Sequence, residues 1–212
     1  MGCGKSSVGR ILSELLCCPF MDLDDVIETR CGRSITEIFA EDGEAWFRRM
    51  EKEALEDILR FREGGIPGQS LPHRHSKSSS FFSGEDARMV LALGGGAVIR
   101  EECERMVHEG TFCVYLRTSV ETLVERLTGE DSGRPLLSGA GPERPGNPTV
   151  MSSGVETSAL RTRIMELMDQ RAATYERVAH LIVDTDGKSI EAIAEEIISF
   201  LPNGLCMQDE LT

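Results

Sequence analysis

The sequence predicts an α/β fold in which a parallel sheet is flanked by helices, and three observations carry that expectation. Short apolar runs alternate with segments of helical periodicity along the chain. The run Met89 to Leu93 (MVLAL) is apolar throughout, as expected of a strand buried on both faces. Glycine-rich stretches open the first helix, at Gly2 to Gly4, and close the MVLAL run, at Gly94 to Gly96.

Each element follows from local pattern. Lys5 to Leu16 reads as a helix because Val8, Ile11, Leu12 and Leu15 recur at helical spacing. Pro19 to Asp24 reads as a short strand ending in carboxylates. Ser34 to Phe39 is a short helix opened by a capping box, with Ser34 three residues before Glu37. Glu44 to Phe61 is a longer helix carrying Phe47, Met50, Leu55, Ile58 and Leu59. Helices are also predicted at Glu101 to Val107, Val120 to Leu127, Thr157 to Val178 and Ser189 to Leu201. Strands are predicted at Phe112 to Leu116 and Leu181 to Val183. The Gly-, Pro- and Ser-rich segment Glu63 to Asp86 reads as a mobile insertion, 129–155 as a loop region with GAGPERPGNP at its heart, and 202–212 as a frayed tail. One domain, 1–201, is expected.

Composition excludes several functions. The chain has 212 residues, 23 basic and 36 acidic, for a formal charge of -13. Such a surface repels nucleic acid and anionic membrane, so an anionic ligand must be held by a few placed cations and backbone N–H groups. No apolar run approaches a membrane span, and no secretory signal opens the chain. The seven cysteines are odd in number and none form a C-x-x-C pair, which argues against a disulfide framework or zinc site and for a reducing cytoplasm. His73 to His75 (HRH) reads as solvated loop, since no ligand cluster accompanies it.

Six constellations carry possible chemistry. Gly2-Cys3-Gly4-Lys5-Ser6-Ser7 precedes an amphipathic helix, where successive N–H groups and the helix N-terminus suit phosphates. Lys5 would reach the β- and γ-phosphates and Ser6 would place a hydroxyl on Mg²⁺. Asp22 and Asp24, read as alternating strand-end residues on one face, fit a metal contact and a substrate hydroxyl, or equally a turn or helix cap. Arg48 and Glu51, alone, read as a solvated ion pair. Gly94 to Gly96 permits close approach of a substrate to the backbone, or is a simple turn. Arg134, in RPLL, could close over phosphates from a loop or be an arbitrary loop cation. Arg171 could hold a carboxylate bidentately, although most helix arginines are merely solvated.

Taken together, these features resemble the shikimate kinase family from Met1 to about Leu201. The matching segments are GCGKSSVGR, DLDDVIE, GRSITEIF, GEAWFRRME, LGGGAV, RPLL, QRAATYERVA and VDT. The resemblance implies a P-loop NTPase three-layer fold and ATP-dependent phosphorylation of the 3-hydroxyl of shikimate, a step toward chorismate and the aromatic amino acids. It implies that Gly2, Cys3, Gly4, Lys5, Ser6 and Ser7 hold the phosphates, with Ser6 on Mg²⁺ and Asp22 reaching the metal through water. Asp24 would bind the shikimate hydroxyl as base or orienting group. Arg48, Arg171, Gly95 and Gly96 would hold the carboxylate and ring, with Glu51 orienting Arg48. Arg134 would touch the transferred phosphate from a lid, and Arg126 would lie at the adenine pocket. ATP, shikimate and Mg²⁺ are the implied partners of a cytoplasmic monomer.

The resemblance also implies a first, central strand that is missing from this chain, lying between the strand that ends at Gly94 and the strand Phe112 to Leu116. The P-loop glycine five positions before Gly4 is likewise off the chain. The expectation is a truncated sequence lacking about ten residues. Two other readings stay open at this point: a kinase for another small polyol acid such as gluconate, and a non-catalytic nucleotide-binding module.

Overall fold

A computed structural model describes residues 2–62, 88–128 and 153–201. In chain order its elements are α1 (Lys5–Leu15), β1 (Phe20–Asp22), α2 (Leu23–Cys31), α3 (Ile35–Glu41), α4 (Gly43–Arg62), β2 (Val90–Ala92), α5 (Glu101–Gly110), β3 (Val114–Arg117), α6 (Val120–Thr128), α7 (Ser153–Val178), β4 (Leu181–Asp184) and α8 (Ile190–Phe200). The strands form two parallel pairs, β1 with β2 and β3 with β4. Phe20 sits opposite Val90, and Val114 opposite Leu181.

Side-chain alternation along the strands sorts the core into layers. Leu91 joins Leu23, Ile27, Phe47, Leu55, Ile58 and Val107, so α2, α4 and α5 cover one face. Val90 joins Val8, Leu12, Leu116, Val183, Ile193 and Ile197, so α1 and α8 cover the other. A third cluster, Leu123, Val124, Leu127 and Ile164, fastens α6 to α7. A cavity of about 340 Å³ lies between β2 and β3, with α1 and α8 residues on one side and α4 and α5 residues on the other.

Local chemistry explains most element ends. Ser34 caps α3, and its capping box with Glu37 is formed as the sequence predicts. Gly32 ends α2 in the left-handed conformation, φ 65°, which glycine adopts without strain. Gly9 lets α1 lie against the sheet, since a Cβ there would stand 2.5 Å from the Phe20 ring.

One expectation is corrected. The predicted strand Pro19 to Asp24 stops at Asp22, and Asp24 lies in the first turn of α2. Asp22 is the N-cap, its side chain accepting from the Asp24 N–H at 3.1 Å. The aspartates therefore do not alternate along one strand. Capping by Asp22 and the helical spacing of buried Leu23 and Ile27 favour the helix. Residues 153–155, grouped by sequence with the loop region, begin α7. The insertion 63–86, residues 129–152 including Arg134, His73 to His75 and the tail 202–212 lie outside the described residues.

Candidate active site

The site is built where α1, the β1–α2 junction, α4 and the loop after β2 meet. Gly4 is the N-cap of α1 in the left-handed conformation, φ 84°, and no side chain caps the helix. The first-turn N–H groups of Lys5, Ser6 and Ser7 thus keep the anion-binding character of a helix N-terminus. Arg126, on α6, donates to the Gly2 carbonyl at 3.3 Å, which places its guanidinium beside this loop.

Cys3 lies in the same loop, with the Lys5 ammonium 3.8 Å from its sulfur. Burial pushes the Cys3 thiol upward, but the Lys5 charge and nearby backbone N–H groups outweigh it, and the net shift is down. A smaller cavity, about 110 Å³, runs between Cys3, Lys5, Gly94 and Gly95 and reaches Tyr115 and Tyr175.

Ser6 Oγ donates to Asp22 Oδ2 at 2.6 Å, tying α1 to the end of β1. Two hard oxygens stand side by side there. That donor set fits Mg²⁺, which takes one or two protein oxygens and completes its shell with water and phosphate. Among the described residues no cluster of three or more His, Cys, Asp or Glu side chains is placed to hold a metal by itself.

Asp24 points toward the turn after β2. A Cβ on Gly94 would lie 2.8 Å from Asp24 Oδ1 and 2.9 Å from Glu51 Oε1, so only glycine fits between them. Burial raises the Asp24 pKa to about 6, with the charges of Asp22 and Glu51 adding to the rise and Lys5 opposing it.

Arg48 and Glu51, one turn apart on α4, form a sheltered pair. Their side chains are 11% and 3% exposed, with Arg48 Nη1 2.7 Å from Glu51 Oε2. This burial answers the solvated-pair reading of the sequence. Glu44 takes the other edge of the Arg48 fork at 3.2 and 3.3 Å. Burial pushes the Glu51 carboxyl up, against the attraction of Arg48, Arg100 and Arg171. A Cβ on Gly96 would overlap the Arg48 guanidinium, so this glycine too is required by a close approach.

Arg171 and Tyr175 reach the same turn from α7. Arg171 Nη1 donates to the Gly95 carbonyl at 3.3 Å, and the Tyr175 hydroxyl donates to the same oxygen. The structure thus brings Lys5, Asp24, Arg48, Gly95, Gly96 and Arg171 to one place, with Ser6 and Asp22 adjoining. Arg134 belongs to the undescribed residues. Sequence reasoning missed Arg100, the N-cap residue of α5, whose charge acts on Glu51. Its signal was a cation placed just after the glycine turn and ahead of Glu101 and Glu102.

Comparison with known proteins is consistent across methods. A family model described as shikimate kinase matches residues 1–66 and 82–202. A shikimate kinase of Thioalkalivibrio sulfidiphilus is 36% identical over 197 residues, covering 93% of this chain and 80% of that protein. One of Chlorobium chlorochromatii is 33% identical over 196 residues, covering 92% and 84%. Among solved structures, the shikimate kinase of Acinetobacter baumannii in complex with shikimate superposes with a TM-score of 0.68 at 28% identity, covering 94% of this chain and 87% of that one.

Proposed function

The chain belongs to the shikimate kinase family, and on that premise we propose that its site transfers the γ-phosphoryl group of ATP to the 3-hydroxyl of shikimate, giving shikimate 3-phosphate and ADP. The observation that carries this reading is the glycine turn wedged against Asp24, Glu51 and Arg48, which sets a carboxylate and a guanidinium on one small recess. Phosphoryl transfer asks for positioning and charge neutralisation more than covalent help.

In this reading the uncapped N-terminus of α1, from Gly2 to Ser7, cradles the phosphates, and Lys5 lies against the transferring group. Arg126 steadies the loop through its bond to Gly2, and Arg134 supplies a second cation. Ser6 and Asp22 would hold Mg²⁺, which would supply positive charge to offset that of the phosphates. Arg48 and Arg171 bind the shikimate carboxylate, with the Gly95 and Gly96 backbone beneath the ring. Glu51 and Glu44 fix the Arg48 fork. Asp24 accepts a hydrogen bond from the attacking hydroxyl. As the new O–P bond forms and the bond to the β-phosphate oxygen breaks, the hydroxyl proton passes to ionised Asp24. The role fits a carboxylate whose pKa of about 6 lies near working pH.

The partners are then small molecules, with no nucleic acid or membrane involved, and the chain acts as a cytoplasmic monomer. The charge of -13 supports the first part. No helix among the described residues is long and apolar enough to cross a membrane. The domain is proposed as 1–201, with 63–86 an insertion and 129–155 the lid.

The test is a substrate panel. The purified chain is incubated with Mg-ATP and shikimate, quinate or gluconate, ADP release is followed, and the product is identified by mass and phosphorus NMR. Shikimate 3-phosphate is the expected product. Turnover of gluconate alone, or ATP binding without transfer to any acid, would overturn the proposal.

A further inference from the structure

The glycine turn after β2 uses its carbonyls unevenly. The Gly94 oxygen accepts from the Ala97 N–H at 3.1 Å and the Gly96 oxygen from the Ile99 N–H at 3.2 Å, both within the loop. The Gly95 oxygen accepts instead from α7, from Arg171 Nη1 at 3.3 Å and from the Tyr175 hydroxyl. The peptide unit that joins Gly95 to Gly96 is flanked by residues without a Cβ, so no side chain of its own restrains its plane. A trans peptide is rigid, and its C=O and N–H point in opposite directions. Holding the Gly95 oxygen toward α7 therefore aims the Gly96 N–H away from α7. That N–H takes no hydrogen-bond partner among the described residues. The Arg48 guanidinium lies against the same glycine.

The two donors from α7 differ in what else they can do. Arg171 carries several N–H groups on a flexible side chain and gives one to Gly95. Tyr175 has a single hydroxyl proton. Its ring packs against the core cluster that contains Leu23, Phe47 and Val107, and its centroid stands 5.3 Å from that of Tyr115. An aromatic side chain has few torsions left to fix once its ring is packed. The hydroxyl is thus the stiffer of the two anchors. A carbonyl held by Tyr175 leaves the Arg171 fork open to a carboxylate, which is best met by two parallel N–H bonds. Without the hydroxyl, Arg171 is the remaining donor to Gly95 and is drawn back toward it.

We propose that Tyr175 is a positioning residue for the acid substrate: through the Gly95 carbonyl it fixes the plane of the Gly95–Gly96 peptide, aims the Gly96 N–H at the carboxylate, and leaves the Arg171 guanidinium free for the same group. The inference rests on the acid site proposed above, with Arg48 and Arg171 as its cations. Tyr175 acts through the turn and through Arg171, without contact to the reacting atoms.

The test is Tyr175→Phe in the whole chain, which removes one oxygen and keeps the ring in its packing. Loss of the hydroxyl should raise the calorimetric Kd and the KM for shikimate about tenfold. The kcat and the Kd for Mg-ATP should stay near those of the unaltered chain. With isotope-labelled glycine, shikimate should move the Gly96 amide resonance of the unaltered chain downfield, and that of the variant by less. A purely structural hydroxyl would instead lower the melting temperature and weaken shikimate and Mg-ATP binding together, and that pattern would overturn the proposal. Weaker shikimate binding in Arg171→Ala beside unchanged binding in Tyr175→Phe would overturn the role of Tyr175 and leave the acid site standing. Unchanged binding in both variants would overturn the acid site and this inference with it.

Discussion

Glu51 turns one carboxylate oxygen to the Arg48 guanidinium at 2.7 Å and leaves the other, Oε1, buried with no hydrogen-bond partner among the described residues. That orphan oxygen shares with Asp24 the space beside Gly94. A buried acceptor left unmade costs roughly 1–3 kcal/mol, so the arrangement trades stability for a charged recess.

Asp24→Asn should therefore separate stability from activity. The folded chain holds the Asp24 proton up to about pH 6, well above the range of an ordinary carboxylate. Folding binds this proton more tightly than the unfolded chain does, so stability contributed below that range is lost as pH rises through about 6. The neutral amide removes the loss. The variant is expected to be more stable at pH 7 by ~1–3 kcal/mol and to lose most turnover. Calorimetric melting and steady-state kinetics read the two effects. Normal turnover would remove Asp24 from the reaction.

The pH profile offers a second handle. If Asp24 must be ionised, kcat/KM falls as pH drops below about 6. The Glu51 charge helps hold that pKa up. Glu51→Gln should move the acid limb to lower pH while weakening shikimate binding through a loosened Arg48. An acid limb that stays in place would show that Glu51 does not act on the titrating group.

Gly96→Ala tests the carboxylate site without touching a charge. The new methyl would displace the Arg48 guanidinium, the far end of a flexible side chain, so the fold should survive. Loss of a charge-assisted contact costs ~1.5–3 kcal/mol, about one to two decades in Kd. Arg48→Ala and Arg171→Ala should show a similar loss for shikimate with ATP binding little changed. Unaltered shikimate affinity by calorimetry in all three variants would place the acid elsewhere.

Among the described residues, Cys3 should be the most reactive thiol. Lys5 draws it toward thiolate, whereas burial drives Cys113 up to about 11 and also raises Cys103. Iodoacetamide is expected to label Cys3 first, to block ATP binding, and to be slowed by Mg-ATP. Peptide mapping with equal labelling in the presence and absence of nucleotide would refute this.

Legibility of the sequence varied with the kind of signal. α3 announces itself because Ser34 and Glu37 satisfy each other's backbone donors, a purely local arrangement. β2 announces itself because both its faces are covered. α2 did not, because Asp22 closes a strand and caps a helix at once, and a three-residue strand is too short to show where its period stops. The glycine triplet was legible as a close approach. What approaches Gly94 and Gly96, two acids and an arginine from different elements, depends on tertiary contacts that no local pattern records. Arg48 and Glu51 read as a surface pair for the same reason: the turn after β2 closes over them, and no local pattern records that approach.

Helix α1 has a second consequence. Val8 and Leu12 pack in one cluster with Val90 of β2 and with Leu116 of β3, so a single helix lies as a splint across both half-sheets. Its N-terminus carries Lys5 and Ser6. A nucleotide gripped there pulls on the member that braces the two halves together, and its binding energy is shared by both. Saturating Mg-ATP should then make them melt as one cooperative unit, raising the apparent stability by RT ln(1 + [L]/Kd). A phosphate-binding loop in this position doubles as the fastening of the whole frame.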